Sequence, residues 1–158
     1  MSEDLRPLTV ETVLDAISSE RPSSGAGVAA GMALALGIAC AQKAIAVTLK
    51  HRDDVQLSSA ADRLRTLRGR SLEQARLDAA LFERYLRSKD PQDVDKLVAA
   101  AEQFQHLARE TAREFAALEG KVIDSVIGDL TAADALQRAA TTIEDDILRD
   151  NQREQARA

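Results

Sequence analysis

The chain contains 158 residues, a length that fits a single domain, 1–158, with a continuous core. Its 26 acidic residues outnumber its 21 lysines and arginines and give a net charge of −5. This balance lacks the basic surface that binds nucleic acid or an anionic membrane, so we expect neither partner. Aromatic residues make up only 3% of the chain, and alanine side chains bury little area each, so we expect oligomerisation to supplement the core.

Two features indicate the cellular compartment. The only cysteine, Cys40, lies within an apolar run, which excludes an internal disulfide and predicts a small buried hydrophobic residue. The first residues, MSEDLRPL, are polar and acidic before the chain becomes apolar, unlike a signal peptide. We therefore expect a cytoplasmic protein.

The first predicted helix is short and follows Thr9, which can cap it. One apolar face is formed by Val10, Val13, Leu14 and Ile17. Residues 18–24 contain Pro22 and several serines, and we expect a loop there.

The stretch from Pro22 to His51 is the most apolar part of the chain. Every residue from 25 to 41 is glycine or apolar, so a helix here has no polar stripe and must be enclosed by protein or lipid. Gln42 and Lys43 interrupt the run where a membrane span would continue, which favours a central buried helix of a soluble protein. Its small residues Gly27, Gly31 and Ala35 are four apart and would let a neighbouring helix or a dimer mate approach closely.

Both ends of this helix carry candidate binding residues. Its N-terminus leaves backbone N–H groups beside Gly25 and Gly27, where an anionic or carbonyl-bearing ligand could bind. The same glycines could instead only relieve crowding in a tight turn. At the other end, Lys50 and Arg52 are explained by the helix dipole alone.

A long helix is predicted from Ser59, with Asp62 completing a capping box, to about Ser88. Asp78 lies at the border of its apolar face, four residues before Phe82. A carboxylate in such a place is partly desolvated, which raises its pKa towards the range useful for proton transfer. The alternative is an ordinary solvated residue at the edge of the face.

Two more helices complete the prediction. One starts at Asp90 and Pro91 and ends at Gly120, and the other starts near Asp129 or Thr131. We expect residues 151–158 to form a frayed, charged tail. No strand pattern occurs, so the sequence predicts five helices in an all-α, antiparallel bundle around the central Ala/Gly-rich helix.

Three segments together resemble the cyclodeaminase/cyclohydrolase family, which includes formiminotetrahydrofolate cyclodeaminases and a group of methenyltetrahydrofolate cyclohydrolases. The family segment of the type PGGGSVAALAGALG aligns with residues 24–37, and its closing threonine with Thr48. Its aspartate four residues before a phenylalanine aligns with Asp78. An aspartate that starts the last long helix, followed twenty residues later by an Arg-x-Asn signature, aligns with Asp129, Arg149 and Asn151.

The resemblance implies an all-helical homodimer with a folate site between subunits. Members expel ammonia from 5-formiminotetrahydrofolate or interconvert methenyl- and 10-formyltetrahydrofolate, and both reactions are acid–base chemistry with no metal and no cofactor beyond the folate substrate. Asp78 would transfer the proton. Substrate-binding roles would fall to Gly25 and Gly27 on the pterin side, Lys50 and Arg52 for the glutamate carboxylates, and Arg149 and Asn151 for polar contacts.

Departures from the family pattern are concentrated at the pocket. Ser24 replaces a proline, Ala26 the middle glycine and Val28 a serine, and Ile147 stands where the family often has asparagine. They leave open a second hypothesis, a catalytically degenerate paralogue that acts as a helical dimeric binding or assembly module. A third is an unrelated helical interaction protein that matches only through its alanine content.

Overall fold

The computed structural model describes residues 9–20 and 24–157, so Pro22 and both extreme termini of the predicted domain lie outside the described residues. The described chain forms five α-helices and one 3-10 turn and contains no strand. Their bounds are α1 Val10–Ser18, α2 Gly25–Leu49, α3 Val55–Ser88, α4 Pro91–Ala116, the turn Asp124–Val126 and α5 Ile127–Gln155. The all-α prediction is confirmed.

Helices α2 to α5 form a four-helix bundle with antiparallel neighbours. α2 packs against α3 and α5, and α4 packs against the same two helices. Early residues of α2 meet late residues of α3, since Ser71 Oγ donates to Gly31 O at 2.8 Å and Gln42 Nε2 donates to Ala61 O at 3.5 Å. Side-chain contacts show the same reversed order between α3 and α4 and between α4 and α5. Short connections favour such an up-and-down order.

The core runs along the bundle axis and is built mainly from aliphatic side chains. Its largest fully buried members are Leu34, Ile38, Ile45, Leu57, Leu64, Leu107 and Leu118. Burial of each such side chain contributes roughly 1.5–3 kcal/mol.

The start of α3 differs from its prediction. We expected Ser59 and Asp62 to open the helix, but it begins at Val55 and Asp54 is its N-cap. The Asp54 carboxylate accepts from two backbone N–H groups of the first turn, at 3.0 and 3.1 Å. The earlier start adds a turn that brings Leu57 into the core, where it is 1% exposed.

The predicted start of α4 is confirmed, because Asp90 caps the helix and Pro91 is its first residue. The helix ends at Ala116, before the predicted Gly120, which instead adopts a φ of 68° in the following turn. Glycine is the residue that accepts this conformation without steric cost. The last helix begins at Ile127, slightly earlier than predicted.

Two glycines of α2 allow close helix approach: Gly31, as predicted, and Gly37, which the prediction did not include. A Cβ at Gly31 would lie 2.6 Å from Ala75 Cβ, and one at Gly37 would lie 2.9 Å from Ala133 O. Both distances are too short for a real side chain, so α3 and α5 pack directly on the backbone of α2. The neighbours are therefore helices of the same chain.

The expectation that α2 is enclosed on all sides is not met within one chain. A corner helix of a four-helix bundle has two close neighbours, and its outward stripe stays open. Leu36 is 52% exposed on this stripe, and Ala46 and Lys43 are also exposed. By length and composition α2 is apolar enough to cross a membrane, a property shared by core helices of soluble proteins.

The predicted frayed tail differs from the structure, because α5 continues four residues beyond Asn151, to Gln155. Two side-chain contacts hold this last turn. Tyr85 Oη donates to Glu154 at 2.7 Å, and Gln155 Nε2 donates to Asp95 at 2.7 Å.

Candidate active site

The first turn of α2 lies against Asp78 of α3. Ser24 is the N-cap of α2, and its Oγ accepts from the Gly27 backbone N–H at 3.2 Å. The Ser24 hydroxyl in turn donates to Asp78 Oδ2. Ser24, a departure from the family pattern, therefore connects the helix N-terminus to the candidate proton-transfer group.

Asp78 is buried, with 8% of its surface exposed. Burial raises the pKa of its carboxyl above the usual range, and the hydrogen bond from Ser24 lowers the pKa only in part. Desolvation disfavours the charged form of an acid, which explains the direction. The half-buried position predicted from the sequence is thus an almost fully buried one.

Gly27 is required by the position of Asp78. A Cβ at residue 27 would lie 2.5 Å from Asp78 Cγ and closer still to its Oδ2. Gly25 differs, because a Cβ there would make only ordinary contacts, 3.7 Å from Ile17 O. Gly27 therefore relieves crowding, as one of the two interpretations of these glycines predicted. The Asp78 carboxyl occupies the space that a side chain at residue 27 would fill.

A second buried carboxyl, that of Glu144 in α5, interacts through its charge with Asp78. It is 3% exposed. The pKa of Glu144 is raised to about 8, first by burial and then by the negative charges of Asp78 and Asp145. The charge of one buried acid therefore acts on a second from a different helix, an arrangement suited to proton transfer.

Glu144 was missed by the sequence analysis. The apolar residues of α5 at helical spacing, which the sequence favours for burial, are Ala133, Leu136, Ala140, Ile143 and Ile147. The residues that are buried are Ala133, Gln137, Ala140 and Glu144. Their spacing of four, three and four residues is regular for a helix face, and extending it through polar positions would have found Glu144.

Asn151 and Arg149, both predicted to make polar contacts, differ in their surroundings. The Asn151 Nδ2 atom is buried and has no hydrogen-bond partner among the described residues. Asn151 follows Glu144 by two helical turns on the same face of α5, about 10 Å along the axis. Arg149 is exposed and pairs with Asp146 of its own helix.

Lys50 and Arg52 do not join the other predicted residues within one chain. They follow the C-terminal end of α2, and the helix has 25 residues, so roughly 36 Å separates its two ends. Arg52 donates to Lys121 O and forms an ion pair with Asp54 at 3.6 Å. Their local contacts are structural ones at the opposite end of the bundle.

An apolar groove of about 510 Å³ lies between α1, α2 and α3 next to Asp78. Ser24 belongs to its wall, and among the described residues Arg76 is the one charged residue that lines it. The remaining walls are formed mostly by Val13, Ile17, Val28, Met32, Leu72 and Ala79. The groove could hold a flat apolar group, and Ser24, which donates to Asp78, lies in its wall.

Comparison with known proteins supports one family. The search of curated proteins found no match. Among solved structures, the chain is similar to the crystal structure of formiminotetrahydrofolate cyclodeaminase from Thermotoga maritima, with a TM-score of 0.86 and 16% identity. The match covers 94% of this chain and 80% of that one, and at this identity it establishes the fold.

A family model described as formiminotransferase-cyclodeaminase matches residues 9–115, which include Ser24, Gly27 and Asp78. Because that match spans more than half of the sequence, the chain belongs to the formiminotransferase-cyclodeaminase family.

Proposed function

We propose that this protein is a cytoplasmic folate one-carbon enzyme of the cyclodeaminase or cyclohydrolase type. The observation that carries the proposal is the buried Asp78 carboxyl, held by Ser24 against Gly27 at the start of α2 in a member of this family. The solved relative is named for its action on formiminotetrahydrofolate. A tetrahydrofolate derivative is therefore the substrate class that we assign.

The proposed chemistry is proton transfer at the carbon that bridges N5 and N10 of the folate, without a metal. Ring closure at this carbon needs a group that accepts the proton of the attacking nitrogen, which is N10 in the formimino compound and N5 in the 10-formyl compound. It also needs a group that protonates the departing nitrogen or oxygen. Asp78 is desolvated, so its pKa lies closer to neutrality than that of a solvated aspartate. General acid–base catalysis by such a group typically contributes 10²–10⁴-fold in rate.

The binding roles rest on three features near Asp78. Gly25 and Gly27 keep their assignment to the pterin side through their backbone groups, since the Asp78 carboxyl fills the space over Gly27, and the apolar groove next to Ser24 offers a surface for the flat faces of the ring system. Asn151 supplies a buried amide donor with no partner among the described residues, and leaving such a donor unpaired costs roughly 1–3 kcal/mol. A folate carbonyl or ring nitrogen would satisfy it. Arg149 is assigned a peripheral contact.

A homodimer would complete the site. The open stripe of α2, with Leu36 at its centre, is the surface that we assign to a second copy of the chain. Two α2 helices packed antiparallel would bring the Lys50 and Arg52 end of one chain to the Gly25 end of the other. These cations could then meet the glutamate carboxylates of the folate.

The direct test adds 5-formiminotetrahydrofolate or methenyltetrahydrofolate to the purified protein and follows methenyl absorbance and ammonia. We expect turnover of one of the two, and a loss of at least about 100-fold in Asp78→Asn. Asp62→Asn is the matched control, because Asp62 is an exposed acid of the same helix. Turnover that is equal in Asp78→Asn and Asp62→Asn would remove Asp78 from the reaction.

The second candidate is a catalytically degenerate paralogue that serves as a dimeric binding or assembly module. Two observations favour it: Val28 presents no hydroxyl to the groove, and Arg149 pairs with Asp146 on the surface. Tetrahydrofolate binding without turnover of either substrate would select this function. A monomer that is indifferent to folate would contradict both candidates.

A further inference from the structure

We propose that Asp78 and Glu144 form a carboxyl pair that holds one shared proton, with Asp78 as the base and Glu144 as the acid of ammonia release. This inference rests on the proposed function and adds a second catalytic residue to it. Glu144 lies beyond residues 9–115, the part of the chain that the family model matches.

The pair is built from opposite sides of the bundle. Asp78 comes from α3 and Glu144 from α5, and these two helices are not in backbone contact. Both side chains are nevertheless buried, at 8% and 3% exposure, and the charge of one acts on the other. They therefore face the bundle interior from two directions, at the level of the first turn of α2.

A third buried acid shows what a structural carboxylate requires in this protein. Asp93 is 1% exposed, but Arg84 and Lys96 form ion pairs with it at 3.0 and 3.1 Å, and Ser88 donates to it. These partners lower the pKa of the Asp93 carboxyl. A buried anion that is paired in this way stays ionised and has a structural role.

Within residues 9–20 and 24–157, no cation pairs with Asp78 or Glu144 in this way. Neither forms a salt bridge with a described residue, and Glu144 makes no hydrogen bond within the described chain. The groups that act on the Glu144 pKa are Asp78 of α3 and Asp145 of its own helix, and both are anionic. Burying two unpaired carboxylates together is unfavourable, so the pair retains a proton at neutral pH.

The two carboxyls are not equivalent, which assigns their roles. Ser24 donates a hydrogen bond to Asp78 and stabilises its ionised form. Once Asp78 is ionised, its charge opposes ionisation of Glu144, whose pKa lies at about 8. The hydrogen bond from Ser24 therefore marks Asp78 as the group of the pair that gives up its proton first and Glu144 as the group that keeps it.

This distribution fits the deamination of a protonated formimino group. The N10 lone pair forms a bond to the formimino carbon, and the N10 proton passes to Asp78. The bond between that carbon and its terminal nitrogen then breaks as Glu144 protonates the nitrogen, which leaves as ammonia. Substrate and methenyl product each carry one positive charge, and the pair holds one proton before and after, so the step balances.

The pair also favours a cationic substrate. The single net negative charge of the pair compensates a protonated amidine without any further anion from the chain. The methenyl cation gains from the same charge, whereas a neutral 10-formyl group gains less. The pair thus favours both cationic species, the formimino substrate and the methenyl compound, over 10-formyltetrahydrofolate.

The first experiment is a carbon-13 NMR titration of the full chain with labelled aspartate and glutamate carboxyls. We expect Glu144 to titrate near pH 8 and its pKa to fall by at least one unit in Asp78→Asn. Glu83→Gln, a substitution at an exposed glutamate of α3, should leave the Glu144 titration unchanged. Titration of Glu144 together with exposed glutamates, or no change in Asp78→Asn, overturns the shared proton.

The second experiment measures kcat/KM for 5-formiminotetrahydrofolate against pH. The wild type should give a bell-shaped profile, and Glu144→Gln should lose the alkaline limb and at least tenfold in kcat, with folate binding retained. An unchanged rate and profile in Glu144→Gln overturns the assignment of Glu144. If the coupled titration is present but the wild type converts no folate, the proposed function fails and the catalytic roles fail with it, whereas the shared proton stands.

Discussion

Gly27 leaves just enough room for Asp78: a Cβ at residue 27 would lie 2.5 Å from Asp78 Cγ. We expect Gly27→Ala to force either the carboxyl or α3 to move. Such overpacking typically costs 1–3 kcal/mol in the free energy of unfolding. Urea denaturation measures this cost, and folate turnover should fall at the same time because Asp78 is displaced.

Gly69→Ala is the matched control for this substitution. Gly69 also lies within a helix, but nothing stands within 4 Å of a Cβ there. Alanine should therefore stabilise the protein by about 1 kcal/mol through helix propensity. Equal effects of the two substitutions would contradict the close contact at Gly27.

Ser24→Ala removes a helix cap and the hydrogen bond to Asp78 in one step. Loss of the cap costs about 1 kcal/mol. Loss of the donated hydrogen bond raises the Asp78 pKa further, because Ser24 is the group that lowers it. We expect the acid limb of the pH–rate profile to move to higher pH.

The control for Ser24 is Thr9→Ala. Thr9 caps α1 through the backbone N–H of Thr12 at 3.2 Å, but it has no contact with the acids. It should weaken α1 and leave the acid limb in place. A shift of the acid limb in both variants would mean that Ser24 acts through helix stability alone.

Buried Glu144 makes the stability of the protein depend on pH. Its pKa is about 8 in the folded chain and about 4.3 when unfolded, so the folded state binds the extra proton between these values. Stability then falls as the pH rises through this window, by at most about 1.4 kcal/mol per pH unit, and levels off above the folded pKa. The raised pKa of Asp78 acts in the same direction.

Glu144→Gln should remove most of this dependence, because glutamine does not titrate. Thermal melting of wild type and variant between pH 5 and pH 9 checks it, with Glu83→Gln as the exposed control. Parallel curves for wild type and Glu144→Gln would show that Glu144 is solvated in the folded protein.

The sequence predicted what depends on local pattern and missed what depends on packing across the bundle. The helices and Asp78 follow from periodicity and cap residues. Glu144 was missed because a charged residue is normally assigned to the solvent face, and its burial becomes visible only when α5 is placed opposite α3. The role of Ser24 was hidden for the same reason, since its partner lies 54 residues away.

The position of Lys50 and Arg52 illustrates another limit of sequence reasoning. A family resemblance can place residues in one site without stating which chain supplies them. In this protein the length of α2 separates them from Asp78, so a shared site requires a second copy.

Leu36 on the open stripe of α2 provides the test of that second copy. It is 52% exposed in one chain, and a homodimer through this stripe would bury it. Leu36→Lys should therefore dissociate the dimer, as measured by sedimentation equilibrium, because an unpaired charge in an apolar interface carries a large desolvation cost. Folate turnover should fall with the dimer, since Lys50 and Arg52 would no longer reach the glutamate carboxylates of the folate. Val55→Lys is the control, because Val55 is 82% exposed at the start of α3 and outside the stripe. A Leu36→Lys protein with the mass and turnover of the wild type would show that the stripe is not the dimer interface.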